Sequence, residues 1–199
     1  PQKSRVALPA GPALGYGGRA QPPRGTMEQP SPLQKIVVLN PKGGSGRSTI
    51  ATNLAAYYAW RGLQVALMDH DPQGSSMRWL KLRPQGAPAI HGIAAFQTRM
   101  NVTRAFAWRA PSGTERLIVD TPAAVGAQQM PQFVADAHAI VVPVMPSEID
   151  IHAASRTIAD LLLVGKVHRS ERRLVIVANR ARRYTKAYAS LMKFLQSMR

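Results

Sequence analysis

Residues 35–49 read Lys35-Ile36-Val37-Val38-Leu39-Asn40-Pro41-Lys42-Gly43-Gly44-Ser45-Gly46-Arg47-Ser48-Thr49. A short apolar run feeds a glycine-rich turn, and the turn feeds a helical pattern. From Ser48 to Trp60 the apolar residues Ile50, Leu54 and Tyr58 recur at helical spacing on one stripe. Gly62 follows as a stop signal, a residue that tolerates positive φ. A strand that passes through such a turn straight into a helix is the opening unit of a parallel α/β sheet.

The rest of the chain repeats that rhythm. Apolar runs at 64–69, 116–120, 139–144 and 174–179 read as four further strands. Helical patterns lie between and after them, notably at 151–164 and 185–198. Near-continuous Val, Ile and Leu strands are what a sheet covered on both faces requires. The fold expected is therefore α/β, a doubly wound, mostly parallel sheet of five strands with helices on both faces.

The turn carries chemistry as well. In the pattern G-x-x-x-x-G-K-[ST], backbone N–H groups turn inward around phosphates, a lysine meets the β- and γ-phosphates, and the hydroxyl binds Mg²⁺. Here Pro41 stands at the first glycine position and Arg47 at the lysine position. The context is nevertheless right, because the turn points a helix N-terminus at an anion. The second strand ends Asp69-His70-Asp71-Pro72-Gln73. Alternation puts Asp69 and Asp71 on one side and His70 on the other. A carboxylate at that end of a parallel strand can orient an attacking water, and Asp71 is the first candidate. The third strand ends in Asp120 after four residues, Leu117 to Val119 among them, where a carboxylate can serve a metal ion. His70 reads as a bystander, since five scattered histidines without cysteine give no metal constellation.

Taken together, these residues resemble the ParA/MinD family of deviant Walker A ATPases, which are P-loop NTPases. Lys42 through Thr49 match that family's loop, K-G-G-x-G-K-[ST]-T, except at Arg47. The likeness extends to Asp69-x-Asp71-Pro72-Gln73, Asp120-Thr121-Pro122, Val142-Pro143-Val144-x-Pro146-Ser147 and Asn179-Arg180. The resemblance implies ATP and Mg²⁺ as cofactors, held by Lys42, Gly43, Gly44, Ser45, Gly46, Arg47, Ser48 and Thr49. It implies that Lys42 reaches across an ATP-bound homodimer to the partner's phosphates. Ser48, Asp120 and Asp71 would serve the metal, and Asp71 would also position the water. Asn179 and Arg180 would lie against the adenine, with Pro143 and Pro146 near the base. Arg47 keeps the charge of the usual lysine but is a wide planar fork, so slow hydrolysis is expected. Family members continue beyond the last helix into another strand and closing helices. A chain ending at 199 thus reads as C-terminally truncated relative to them, a fragment or a pseudo-ATPase.

Composition bounds the partners. The chain has 199 residues, 26 Lys and Arg against 10 Asp and Glu, and a formal charge of +16. Such an excess attracts polyanions, nucleic acid first. The late cluster Arg172, Arg173, Arg180, Arg182, Arg183 and Lys186 is the expected face for non-specific DNA. Residues 1–33 are rich in Pro, Gly and basic residues and read as a disordered arm, with Met27 as a candidate start and 34–199 as the ATPase domain. No stretch approaches the roughly 20 apolar residues of a membrane span. The C-terminal helix, with Leu191, Met192, Phe194, Leu195 and Met198, reads as core-facing, so a membrane partner is not expected. Absent cysteine fits a reducing, cytoplasmic compartment, and the family resemblance implies association with the nucleoid.

The leading expectation is therefore an ATP-hydrolysing partition or positioning protein, with a ParB-like or cargo-specific adaptor. Its alternative is a nucleotide-gated DNA-binding scaffold with negligible hydrolysis. A metabolic enzyme of the same superfamily is a third reading. An iron–sulfur carrier among these is disfavoured by the lack of cysteine.

Overall fold

The computed structural model describes residues 32–97, 109–165 and 174–198. The sheet is built by β1 (Gln34–Val38), β2 (Val65–Asp69), β3 (His91–Ala94), β4 (Arg116–Asp120), β5 (Ala139–Val144) and β6 (Leu174–Ala178). The helices are α1 (Arg47–Trp60), α2 (Ser75–Lys81), α3 (Met130–Val134), α4 (Glu148–Leu163) and α5 (Lys186–Ser197). The strand order is β3-β2-β4-β1-β5-β6, and every neighbouring pair is parallel.

Period-two alternation sorts the strand side chains into two cores. Ile36, Val38, Leu67, Ile118 and Val141 face α1 and α2. Val37, Leu39, Val119, Ile140 and Val142 face α3, α4 and α5, where Met130, Ile158, Leu161, Leu191 and Phe194 are buried. The expected doubly wound sheet is thus present, with helices on both faces. Leu191 and Phe194 turn inward with Leu195 and Met198 packed beside them, so α5 is core-facing.

Three details differ from the sequence expectation. The sheet has six strands rather than five: β3 is short, only Ile93 of it is buried, and it pairs with β2 from Ala66↔His91 to Asp69↔Ala94. The stripe of α1 that meets the sheet is Ala51, Ala55 and Ala59, while Ile50, Leu54 and Tyr58 are half-buried along its flank. Small side chains let the helix backbone lie close to the sheet, and the larger ones seal its edges. Helix α4 starts at Glu148, three residues before the apolar periodicity, because Ser147 caps it.

Residues 1–31, including Met27, and the basic residues Arg169, Arg172, Arg173 and Arg199 lie outside the described residues. Among the described residues no helix is long and apolar enough to cross a membrane.

Candidate functional site

The loop 39–46 leaves β1 at the centre of the sheet, between β4 and β5. Gly44 (φ 76°) and Gly46 (φ 91°) adopt the left-handed conformation that turns the chain back over the strand end. A Cβ on Gly46 would run into the Asn179 amide, whereas Gly43 and Gly44 face open space. Gly46 is the N-cap of α1, with no side-chain cap and no acidic residue in the first turn. The N–H groups and the positive end of that helix are therefore left for an anion. By contrast, Ser147 and Thr185 cap α4 and α5. The α2 amides of Ser76 and Met77 donate to Asp69 Oδ2 at 3.0 and 3.1 Å.

Asn40, buried at the end of β1, fixes the loop. Its Nδ2 donates to the Pro143 carbonyl at 2.7 Å, and its Oδ1 accepts the Lys42 amide at 3.0 Å. Lys42 Nζ sits 2.6 Å from Asp150 Oδ1 in the first turn of α4. Ser45 is fully buried; Ser48 is half-buried and Thr49 exposed at the start of α1.

Arg47 is buried and turns into the loop. Its Nε donates to the Thr121 carbonyl at 3.1 Å and its Nη1 to the Lys42 carbonyl at 2.7 Å and to the Asn40 carbonyl. Nη2 lies 4.0 Å from Asp71 Oδ2. Burial pulls its pKa down, against the opposing pull of Asp120 and Asp71. An arginine here fills the space behind the loop and saturates carbonyls that a lysine could reach with one ammonium only.

Three carboxylates stand at the ends of β2 and β4, which pair as Asp69↔Asp120. Asp69 is consumed by backbone: Oδ1 takes the Asp71 amide at 3.0 Å, and Oδ2 holds the two α2 amides. Burial raises its pKa despite these bonds. Asp71 is freer, with Oδ1 accepting the Gln73 amide at 2.9 Å in a local turn and Oδ2 facing Arg47. Gly74 occupies the N-cap position of α2, so the Asp71 carboxylate is not used up in capping that helix. Asp120 is fully buried; burial pushes its pKa up to about 6, against the hydrogen bond from the Ser76 hydroxyl, the nearby Ser48 hydroxyl and the charge of Arg47. Its Oδ2 accepts the Ser76 hydroxyl at 2.7 Å, while Oδ1 is buried with no hydrogen-bond partner. A buried carboxylate oxygen without a donor, next to the Ser48 hydroxyl, is the donor set a small hard cation takes. The residues therefore fit Mg²⁺.

His70 points away from this cluster, against the Phe133 ring and the Met68 sulfur, and burial lowers its pKa to about 4. Pro143 is buried in β5, and Pro146 is half-buried in the turn before α4. The Asn179 Nδ2 donates to the Ser45 carbonyl at 2.9 Å, and its Oδ1 takes the Arg180 amide at 3.0 Å. That hydrogen bond places the β6–α5 connection at the same end of the sheet as the glycine-rich loop. Arg180, Arg182, Arg183 and Lys186 are exposed there, and among the described residues none forms an ion pair.

The fold brings Lys42, Arg47, Ser48, Asp71 and Asp120, all legible in the sequence, to one end of the sheet and adds Asn40, Ser76 and Asp150. The pattern Ser147-x-x-Asp150 is a legible helix-start signal that marks the last of these. Ser76 carries no signal of its own.

Residues 36–197 match the family described as CbiA, the CobQ/CobB/MinD/ParA nucleotide binding domain. The chain is similar to the maintenance of carboxysome distribution protein A of Gloeobacter kilaueensis, 33% identical over 135 residues, 67% of this chain and 60% of that protein. It thus spans about 60% of the length of that curated relative. Among solved structures, a putative plasmid partition protein from Borrelia burgdorferi bound to AMPPNP superposes with a TM-score of 0.61 at 12% identity, covering 83% of this chain and 81% of that one. The structure of pNOB8 ParA bound to nonspecific DNA superposes with a TM-score of 0.62 at 17% identity, covering 83% and 74%. At such identities the two structures speak for the fold alone. The match over 36–197 encloses the uncapped α1, its glycine-rich loop and the carboxylates beside it, and the chain belongs to the CobQ/CobB/MinD/ParA nucleotide-binding domain family.

Proposed function

We propose that this chain is an ATP-driven positioning switch of the ParA type, which binds ATP with Mg²⁺, closes into a homodimer and binds DNA without sequence preference. The observation that carries the reading is the uncapped N-terminus of α1 over the glycine-rich loop, flanked by Asp71 and Asp120 at the carboxyl edge of a parallel sheet. Backbone N–H groups of residues 43–48 cradle the phosphates. Ser48 and Asp120 would hold Mg²⁺, which would supply charge neutralisation to the phosphates when bound. Asp71 orients the attacking water, and Lys42 serves the phosphates of a second subunit. Asn179, Arg180, Pro143 and Pro146 border the base. Arg180, Arg182, Arg183 and Lys186, together with Arg172 and Arg173, bind DNA phosphates.

Carboxysome distribution, the role named for the similar Gloeobacter kilaueensis protein, suggests a cargo recognised through an adaptor of the ParB kind. A nucleoid-associated, cytoplasmic setting goes with this reading. The scaffold alternative, gated by nucleotide without turnover, is favoured by one observation: the Arg47 guanidinium is already bonded to the Asn40, Lys42 and Thr121 carbonyls.

Steady-state phosphate release over a series of protein concentrations tests the switch. Turnover per subunit that rises with concentration, and collapses in Lys42→Ala, is the expected result. Turnover independent of concentration and indifferent to Lys42 overturns it. ATP-dependent dimerisation without release in a single turnover selects the scaffold.

A further inference from the structure

On the sheet face opposite α1, where α3 covers β1, β2 and β4, lies a cavity of about 180 Å³. Its floor is apolar and buried: Met68 of β2, Leu117 and Val119 of β4, and Phe133 of α3. The His70 ring meets Phe133 edge-on, with centroids 5.1 Å apart and planes at 87°, so the two rings form a corner of the wall. Lys35 of β1 and Gln132 of α3 complete the lining as its polar members. Alternation along the strands keeps this cavity apart from the carboxylates of the other face: Met68 and His70 flank Asp69, and Val119 precedes Asp120.

Lys35 gives the cavity its chemistry. It is half-buried, and its Nζ donates to the Ala135 carbonyl at 2.8 Å, at the C-terminal end of α3. Asp136, exposed in the turn that follows, attracts the ammonium through space without forming an ion pair with it. Among the described residues the ammonium is thus paired with no carboxylate, and burial lowers its pKa. A partly desolvated cation at the edge of an apolar hollow gains most from an acid whose body fills the hollow. The hollow is smaller than the roughly 300 Å³ from which drug-sized ligands are held, so it suits a body of about one ring. Two rings at a right angle and the Met68 thioether favour an aromatic body over an aliphatic one.

We propose that this cavity is a binding site for a compact aromatic monocarboxylate, with the acid group on Lys35 and the ring against His70, Phe133 and Val119. The site lies on the opposite face of the sheet from the glycine-rich loop, and the proposal stands independently of the nucleotide reading.

Benzoate is the probe, and benzamide its uncharged isostere. Each is titrated into the full chain and followed through the NMR resonances of residues 68–70, 117–119 and 133. Benzoate, with about nine heavy atoms, should saturate these shifts at about millimolar concentration or below. Benzamide should bind about threefold to tenfold more weakly, the difference made by one partly exposed charged contact. Lys35→Met should bring benzoate down to the level of benzamide and leave benzamide unchanged, while Lys35→Arg should keep most of the preference for the acid. If Lys35→Met folds poorly, the ratio of the two probes in wild type decides. Equal affinities for benzoate and benzamide in wild type overturn the acid-binding role of Lys35. Shifts confined to the glycine-rich loop, or no saturable shift at about ten times the expected concentration, overturn the site itself.

Discussion

The Ser76 hydroxyl donates to Asp120 Oδ2 at 2.7 Å, joining the first turn of α2 to the end of β4 across the buried floor of the site. Through Asp69, which takes the Ser76 amide, the same turn is also tied to the end of β2. The loop bearing Asp71 is thereby anchored on both sides by residues that titrate.

Asp120 gives the molecule a pH signature. Its pKa rises from 3.8 to about 6 on folding, chiefly by burial. The folded state then binds more protons than the unfolded chain between those values, so this group's contribution falls as pH rises from about 4 to 6, by roughly 2–3 kcal/mol in all. Asp69 is shifted in the same direction. His70 acts oppositely: held neutral with a pKa lowered from 6.5 to about 4, it costs stability as pH falls through that window. The difference between Asp120→Asn and wild type isolates the first group. That difference in melting temperature should favour the variant increasingly from pH 4 to 6 and then level off. A constant difference across the range contradicts the assignment.

Asp71→Ala is expected to leave ATP affinity within a few-fold of wild type and to remove hydrolysis by about a hundredfold or more, trapping the nucleotide-bound state. Asp69→Ala serves as the contrast: it strips three amides of their acceptor and should lower the melting temperature instead. Normal phosphate release by Asp71→Ala, with the fold intact, places the water-orienting group elsewhere.

Arg47→Lys exchanges a fork bonded to three carbonyls for a single ammonium. The nucleotide-free variant should be destabilised by about 1–2 kcal/mol. A compact charge can instead stand between β- and γ-oxygens, so turnover should rise by one or two powers of ten, about 1.4–2.8 kcal/mol, with little change in the dissociation constant for ATP. Phosphate release and chemical denaturation on both proteins check the two halves, and turnover no higher than wild type removes the claim that Arg47 throttles the reaction.

The exposed loop between β6 and α5 predicts a salt-dependent, sequence-indifferent association with duplex DNA. Replacing Arg180, Arg182 and Arg183 by Glu should weaken binding to all sequences alike. For every DNA phosphate that is no longer neutralised, the slope of log affinity against log salt should become shallower by about 0.9. Fluorescence anisotropy with two unrelated duplexes at several salt concentrations reads this, and selective or salt-insensitive binding excludes the loop as the DNA face.

The residues from Lys35 to Thr49 determined their own local structure. A run of β-branched side chains, glycines that accept positive φ and a helical spacing act over a few residues, and they need no partner to be read. The same holds for Asp120 behind its apolar strand and for Asp71 beyond β2. What the chain alone did not decide is the order in which strands pair. β4 lies between β1 and β2, which brings Asp120 beside Asp69 and Ser76, and β5 lies on the other side of β1, which brings Asp150 to Lys42. β3 and the alanine face of α1 belong with these. A short strand and small side chains carry little apolar signal of their own, and they are fixed only once the neighbouring sheet is there to bury them. The inward turn of Arg47 has the same origin. Its carbonyl partners Asn40 and Thr121 lie at the ends of two strands that are distant in the chain, and tertiary packing alone sets them side by side behind the loop.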